Sequence, residues 1–349
     1  MPPRAQSSTK RAVPEDSEGS KRQRTESTRT RAPKQETPAK ASDSDAASES
    51  PAAPTGNDHS APPEIPRNTA VPAKVEFAPR AEDCIRISAW NITSLKSSDQ
   101  KGFMRYIRAE DADIVVLTET KVNADPAHAG IESIYRYRYW GIGEKKGYAG
   151  TAVLSKIKPE NVTYGLPGFD DPSSRGRMIT LEFPNTVLIG TYAVNAGDNL
   201  KTLGNKIKWN DAIEKHIASF AGRDVIWCGD LNVVWDDRDL AGASKKWNKS
   251  AGYTQAECDA HRRVLSANKM QDAWRVLHPD AVGHYTYYGW RGMCRSRGSG
   301  WRIDSFIVSE DAMPRVKAVE IRHEIYGASD HVPVVRMLTY QMADIAGPL

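Results

Sequence analysis

The chain has 349 residues, a formal net charge of +4, 39% hydrophobic and 8% aromatic content, and no apolar run near the ~20 residues a membrane span requires. A transmembrane helix is excluded, and no membrane partner is expected. Four cysteines (Cys84, Cys228, Cys258, Cys294) lie 144, 30 and 36 residues apart, without the paired spacing of a zinc site or a disulfide framework, so free thiols in a reducing compartment are expected. The opening MPPRAQSSTKR has no apolar signal-peptide core, and the acidic residues that follow argue against a transit sequence.

Residues 1–80 hold 12 of the 21 prolines and a single aromatic residue, Phe77, whereas all nine tryptophans lie between Trp90 and Trp301. A segment of that composition cannot bury enough apolar surface to offset its chain entropy. It predicts a disordered tail over 1–80 and one folded domain over 81–349, large enough for a substantial core. Within the tail, residues 1–40 carry ten Lys/Arg against five Asp/Glu, and residues 41–80 carry three against six. Lys10 and Arg11, followed by Lys21, Arg22 and Arg24, have the two-cluster spacing of a nuclear import signal; a solvated polyampholyte with nonspecific nucleic-acid affinity is the plainer alternative.

In the domain, short β-branched runs end in polar residues. CIRISAW (84–90) leads into Asn91, DIVVLTE (113–119) ends on Glu119, and TVLIGTY (186–192) ends on Tyr192 and leads to Asn195. Farther on, DVIWCGDLN (224–232) delivers Asp230 and Asn232, WRIDSFIVS (301–309) contains Asp304, and Ser329, Asp330 and His331 precede VPVVRML (332–338). Nearly continuous hydrophobic strands of this kind predict covered sheets, with helices over 99–110, 200–220 and 254–268 between them. An α/β layered domain follows.

The strand-ending residues Asn91, Glu119, Asp230, Asn232, Asp304, Asp330 and His331 are rich in hard oxygen donors, with one imidazole and no thiolate. That donor set suits Mg²⁺, with Mn²⁺ as substitute, over Zn²⁺ or copper. Convergent carboxylates repel unless a cation lies between them. Taken singly, an Asp or Asn at a strand end is an ordinary turn or capping residue.

Ten segments in order resemble the exonuclease III type of apurinic/apyrimidinic (AP) endonuclease, eukaryotic-like branch, in the endonuclease/exonuclease/phosphatase superfamily. They are SAWNITSL (88–95), LTETKV (117–122), GYAGTAVLS (147–155), GRMITLEF (176–183), TYAVNAG (191–197), CGDLNV (228–233), AGYTQAE (251–257), YTYYGW (285–290), GWRID (300–304) and SDHVP (329–333). The resemblance implies a DNase I-like, four-layered α/β sandwich of two packed mixed β-sheets flanked by helices. It also implies a Mg²⁺-dependent enzyme of base excision repair that cuts 5′ to an abasic site in double-stranded DNA, leaving a 3′-hydroxyl. Processing of blocked 3′ ends and weak 3′–5′ exonuclease activity would accompany incision. A monomer acting in the nucleus is expected, with repair partners reached through the tail. Another superfamily phosphodiesterase or phosphatase, or a noncatalytic DNA-binding relative, is the alternative.

Residue by residue, the resemblance makes Glu119 the principal metal carboxylate, with Asn91 and Asp330 beside it and Asp230, Asn232 and His331 in the same metal-side set. Asp230 would orient or deprotonate the attacking water and Asn232 would donate to the phosphate. His331, paired with Asp304, would bind a phosphate oxygen or transfer a proton, and Tyr192 and Asn195 would complete the phosphate pocket. Tyr287, Trp301 and Ile303 match an apolar slot for a flipped-out baseless sugar. For DNA contact, Tyr148, Arg177 and Arg291 are the leading residues, within a basic set that also includes Lys96, Lys101, Arg175, Lys206, Lys208, Arg295 and Arg297. The domain carries 35 Lys/Arg against 33 Asp/Glu, so binding would rest on a local basic face. Departures from the family pattern are Thr93 and Ser94 where Asp or Asn and then Gly are common, Val194 for Pro, Asp198 for a basic residue, and Arg291 for Met.

Overall fold

The structure, a computed structural model, describes residues 62–65 and 67–339. The two basic clusters between Lys10 and Arg24 lie outside the described residues. Twelve strands form two mixed sheets of six. The first has the spatial order β11 (Val316–Ile321), β12 (Val334–Thr339), β1 (Cys84–Asn91), β2 (Ile114–Thr118), β4 (Thr151–Ser155), β3 (Tyr137–Gly141). The second runs β5 (Asn161–Tyr164), β6 (Met178–Glu182), β7 (Thr186–Tyr192), β8 (Asp224–Asp230), β10 (Asp304–Ser309), β9 (Met270–Asp272).

Period-two alternation explains the layers. Ile85, Ile87 and Ala89 of β1 and Ile114 and Val116 of β2 share one core with Leu188, Ile226, Cys228 and Phe306 of the other sheet. On the outer face of the first sheet, Trp90, Val115 and Leu117 pack against Leu95 of α1 (Leu95–Gln100) and Phe103, Tyr106 and Ile107 of α2 (Phe103–Glu110). Beyond the second sheet, Val187, Ile189, Val225 and Trp227 meet Trp209 and Ile213 of α3 (Leu203–Ala218) and Val264 of α4 (Gln255–Ala267). The result is the expected four-layered sandwich. The helix expected over 99–110 is two helices, broken at Gly102, whose φ of +97° an L side chain rarely adopts.

Packing reaches back beyond the expected boundary at residue 80. Val71 is 2% exposed and joins the core under α2, with Val75 and Phe77 packed beside it. Its N–H donates to Lys101 O (2.8 Å), and Arg105 Nη2 donates to Val71 O (2.7 Å). Composition averaged over 80 residues hid this apolar stretch, Val71 to Phe77, behind the polar chain before it. A chain beginning at residue 81 is expected to be about 2–4 kcal/mol less stable than one beginning at residue 62, since it forfeits the burial of Val71 and much of Phe77. Urea unfolding checks this, and equal midpoints would return the boundary to residue 80.

Strand direction gathers the polar ends. β1 and β2 are parallel, as are β7 and β8, while β12 and β10 run antiparallel to β1 and β8. The C-terminal ends of four strands therefore share one edge with the N-terminal ends of two others. Asp304 pairs directly across from Asp230 in that register.

Candidate active site

A cleft of about 720 Å³ opens at this edge, lined by Glu119, Tyr192, Asn195, Asp230, Asn232, Asp330 and His331, and by Tyr287, Trp301 and Ile303. The local backbone is unusual. Thr93 (φ 59°), Glu119 (φ 52°) and Asn232 (φ 49°) are non-glycine residues in the left-handed region, a conformation that costs free energy and concentrates at functional sites. At Gly229 (φ +118°) any Cβ would strike the Thr191 carbonyl, so the turn into Asp230 demands glycine there.

Asp230 is 2% exposed and Asp304 1%. Asp304 Oδ2 pairs with His331 Nδ1 at 2.8 Å, while Asp304 Oδ1 is buried with no hydrogen-bond partner. Burial, then the nearby Asp304 charge, pushes the Asp230 carboxyl well above the usual carboxylate range. For His331 burial disfavours the charged ring, but the charge and hydrogen bond of Asp304 outweigh it and raise the imidazole above its ordinary value. Burial likewise opposes ionisation of Glu119, yet hydrogen bonds from Asn91 and Lys121 leave its carboxyl below the ordinary value. The Tyr192 phenol is held well above 10 by burial and by Glu119 and Asp230, so it stays a proton donor.

The amides link the acids to the backbone around them. Asn91 Nδ2 donates to Glu119 Oε1 (3.0 Å) and Asp230 Oδ2 (2.9 Å), and its Oδ1 accepts from Thr93 N–H (3.0 Å). Asn232 Oδ1 accepts from Asn195 Nδ2 (2.8 Å), and its own Nδ2 donates to Ala193 O (3.0 Å). Each side-chain oxygen thus accepts one N–H, and through these bonds the two asparagines tie Glu119 and Asp230 to the turn at Asn232. Among the described residues, the cluster with ligand atoms within 4.8 Å of one another is Asp230, Asp304 and His331. Asp304, expected among the strand-end donors and as the histidine's partner, belongs to that cluster, while Glu119 and Asp330 stand at its rim.

The donor chemistry fits a hard divalent cation. Asp230, Asp304, Glu119 and Asp330 are countered locally by His331 and by Lys121, whose Nζ lies 2.9 Å from Glu119 Oε2, so acidic side chains outnumber basic ones. A buried carboxylate oxygen without a partner is costly unless something positive approaches it.

Two side chains outside the expected catalytic and metal set, Lys121 and Thr93, shape the site. Lys121, two residues past Glu119 in LTETKV, could have been found by its spacing. Thr93 Oγ1 donates to Asp330 Oδ1 (3.0 Å) and shares a hydrogen bond with Ser329 Oγ (2.7 Å), so the position lacking the family's carboxylate holds Asp330 through a hydroxyl.

Tyr287 bridges to both Trp301 and His331, and its ring lies 4.7 Å from the imidazole. A second cleft adjoins the first and shares Tyr192, Asn195, Gly197 and Lys201 with it, and Tyr148 and Arg177 line it. Arg177 is 5% exposed and donates to Tyr148 Oη (2.8 Å) and Ser173 Oγ (2.7 Å), which makes it a wall of that cleft. Arg291 is exposed, on the loop leaving the Tyr287–Trp301 bridge. With Arg177, two further members of the expected basic face are buried: Arg295 stacks on Tyr288 and Tyr326, its guanidinium carbon 4.4 Å from each ring, and Lys206 is 1% exposed. Burial lowers the Lys206 ammonium to about 8, against the opposing pull of Glu257 and Asp230.

A four-layered sandwich with an acid-and-imidazole cleft on its strand-end edge defines a hydrolase of the DNase I-like class. Residues 89–331 match the Endonuclease/Exonuclease/phosphatase family. The chain belongs to that family. It is 36% identical to an exodeoxyribonuclease of Bacillus subtilis (strain 168), over 72% of this chain and 98% of that protein. It is 34% identical to DNA repair nuclease APEX1 of Danio rerio, over 73% of this chain and 82% of that one. An AP endonuclease structure from Archaeoglobus fulgidus superposes with a TM-score of 0.66 at 24% identity, covering 73% of this chain and all of that one, a likeness of fold. The two identities, 36% and 34%, place bacterial and animal relatives at similar distance.

Proposed function

We propose that this protein is a Mg²⁺-dependent AP endonuclease that hydrolyses the phosphodiester 5′ to an abasic site in duplex DNA, leaving a 3′-hydroxyl and a 5′-deoxyribose phosphate. Removal of 3′ blocking groups and weak 3′–5′ exonuclease activity belong to the same reading, as does work in the nucleus during base excision repair. The observation that carries it is the meeting, in one cleft, of Asp230 and His331, clustered with the buried Asp304 behind them, with the apolar Tyr287, Trp301 and Ile303. The relatives named AP endonuclease and DNA repair nuclease support the choice of DNA.

Each side chain has a task in this reading. Asp230, its proton affinity raised by burial and by Asp304, takes the proton of the attacking water. His331, tied at Nδ1 to Asp304, presents Nε2–H to a nonbridging phosphate oxygen. The Tyr192 hydroxyl and the Asn195 amide donate to the same group, where charge builds as the bond breaks. Asn91 keeps Glu119 and Asp230 in their rotamers through its two hydrogen bonds. The ion would be held by Asp230 and Asp304 Oδ1, with Glu119 and Asp330 at the rim, and it supplies Lewis-acid polarisation of the phosphate. A baseless deoxyribose fits between the Tyr287 and Trp301 rings, and an intact nucleotide is excluded by its base.

The test is a duplex carrying one tetrahydrofuran abasic analogue, incubated with Mg²⁺ or with EDTA. A single cut immediately 5′ to the analogue, present with Mg²⁺ and absent with EDTA, is expected. Hydrolysis of small phosphate esters with the duplex left intact would replace this reading with that of a phosphatase of the same family.

A further inference from the structure

Lys206 was expected on a solvated basic face, and it lies instead beneath the active-site turn. It sits in the first turn of α3, with its backbone N–H on Thr202 O (3.0 Å). Its side chain is 1% exposed, and Nζ donates to Leu231 O at 2.6 Å. Leu231 is the residue between Asp230 and Asn232. An ammonium removed from water is costly, and here its hydrogen bond goes to a main-chain carbonyl in that turn.

The bond closes a ring. Thr202 Oγ1 donates to Asn195 O (2.7 Å), Asn195 Nδ2 donates to Asn232 Oδ1 (2.8 Å), and Asn232 follows Leu231 in the chain. Helix α3 is thereby tied to the ends of both β7 and β8. The tie helps to hold Asn232 at φ 49°, a left-handed conformation that asparagine tolerates better than most side chains but that still costs free energy. We propose that Lys206 is a positioning residue of the active site, whose ammonium, by holding the Leu231 carbonyl, fixes the turn that presents Asp230 and Asn232 to the scissile phosphate. This rests on the nuclease reading above.

Lys206→Met keeps the length and apolar stem and removes the donor. Replacing the buried ammonium by an apolar side chain removes its desolvation cost but leaves the Leu231 carbonyl without its donor, two opposed effects that leave Tm little changed, whereas misplacing reacting groups by about 1 Å costs on the order of 10²-fold in rate. The expected result on the tetrahydrofuran duplex is therefore a kcat lowered about 10–100-fold, KM within about threefold, a Tm little changed, and partial recovery of kcat in Lys206→Arg. Backbone hydrogen exchange at Asn232, read without substrate, should be faster in Lys206→Met. Unchanged kcat with unchanged exchange overturns the positioning role, as does loss of kcat only in proportion to lost folded protein. Should Lys206→Met fail to fold, Lys206→Gln, which keeps a donor of shorter reach, carries the same comparison of kcat against Tm. Failure of the wild-type protein to cut the duplex overturns the nuclease reading instead, and the exchange measurement then decides the role of Lys206 by itself.

Discussion

Asp230→Asn is expected to lower kcat for cutting the tetrahydrofuran duplex by about 10²–10⁴-fold, the range lost when a positioned general base is removed, while the Kd for the uncut duplex changes by less than about threefold. The substitution is nearly isosteric. Asp230 Oδ1 accepts from Asn232 N–H (3.0 Å) and Oδ2 from Asn91 Nδ2 (2.9 Å), so an amide can keep one of these bonds through its own oxygen. What it cannot do is take a proton from water. Its loss also relieves the repulsion between Asp230 and Asp304, so the folded state should not suffer. Gel-shift affinity and single-turnover incision, measured on the same duplex, separate the two effects. Weakened binding with unchanged turnover of bound DNA would assign Asp230 to substrate affinity and leave the base unidentified.

Much of this site was legible because each of its acids terminates a hydrophobic run, and strand direction then brings those ends to one edge. Asp230 in CGDLNV and Asp304 in GWRID are 74 residues apart, yet face each other across β8 and β10. Periodicity reveals a strand and its polar end but not which acid faces which, so the direct pairing of Asp304 with Asp230 is visible only in the folded register. The side-chain direction of Asn91 and Asn232 was equally hidden, since an amide offers an oxygen or a nitrogen and only its neighbours decide.

Lys206 is a different kind of miss. The buried face of α3 runs through Trp209, Ala212, Ile213, His216 and Ile217, and stepping back three and seven residues from Trp209 and Ile213 arrives at Lys206. The helical period placed it inside; its charge argued for outside. The period was the better guide because Leu231 O supplies a partner there. No such signal existed for Arg295, which lies in a short 3-10 turn where spacing carries no face, and whose burial depends on Tyr288 and Tyr326 arriving from elsewhere in the chain.

Asp304 and His331 should behave as one group. Asp304→Asn and His331→Asn are each expected to lower kcat by about 10²–10³-fold, the cost of losing one fixed donor to a developing oxyanion, and the double variant should lose little more than either single one. The reason is electrostatic. His331 is 5% exposed, and burial alone would strip its proton; the Asp304 charge and the 2.8 Å hydrogen bond restore it. Without Asp304 the ring loses the strongest of the acidic influences that hold its proton and the hydrogen bond that orients it, leaving Asp230 and Asp330 alone against burial, and its contribution to phosphate binding falls. Without His331, Asp304 has lost the partner through which it acts and retains only its place in the acidic cluster. Independent contributions would multiply, giving the double variant a loss of about 10⁴–10⁶-fold. That outcome in single-turnover incision would mean that Asp304 acts chiefly through the bound cation and His331 through a partner other than Asp304, and the unpartnered Oδ1 of Asp304 would then be the atom through which it does so.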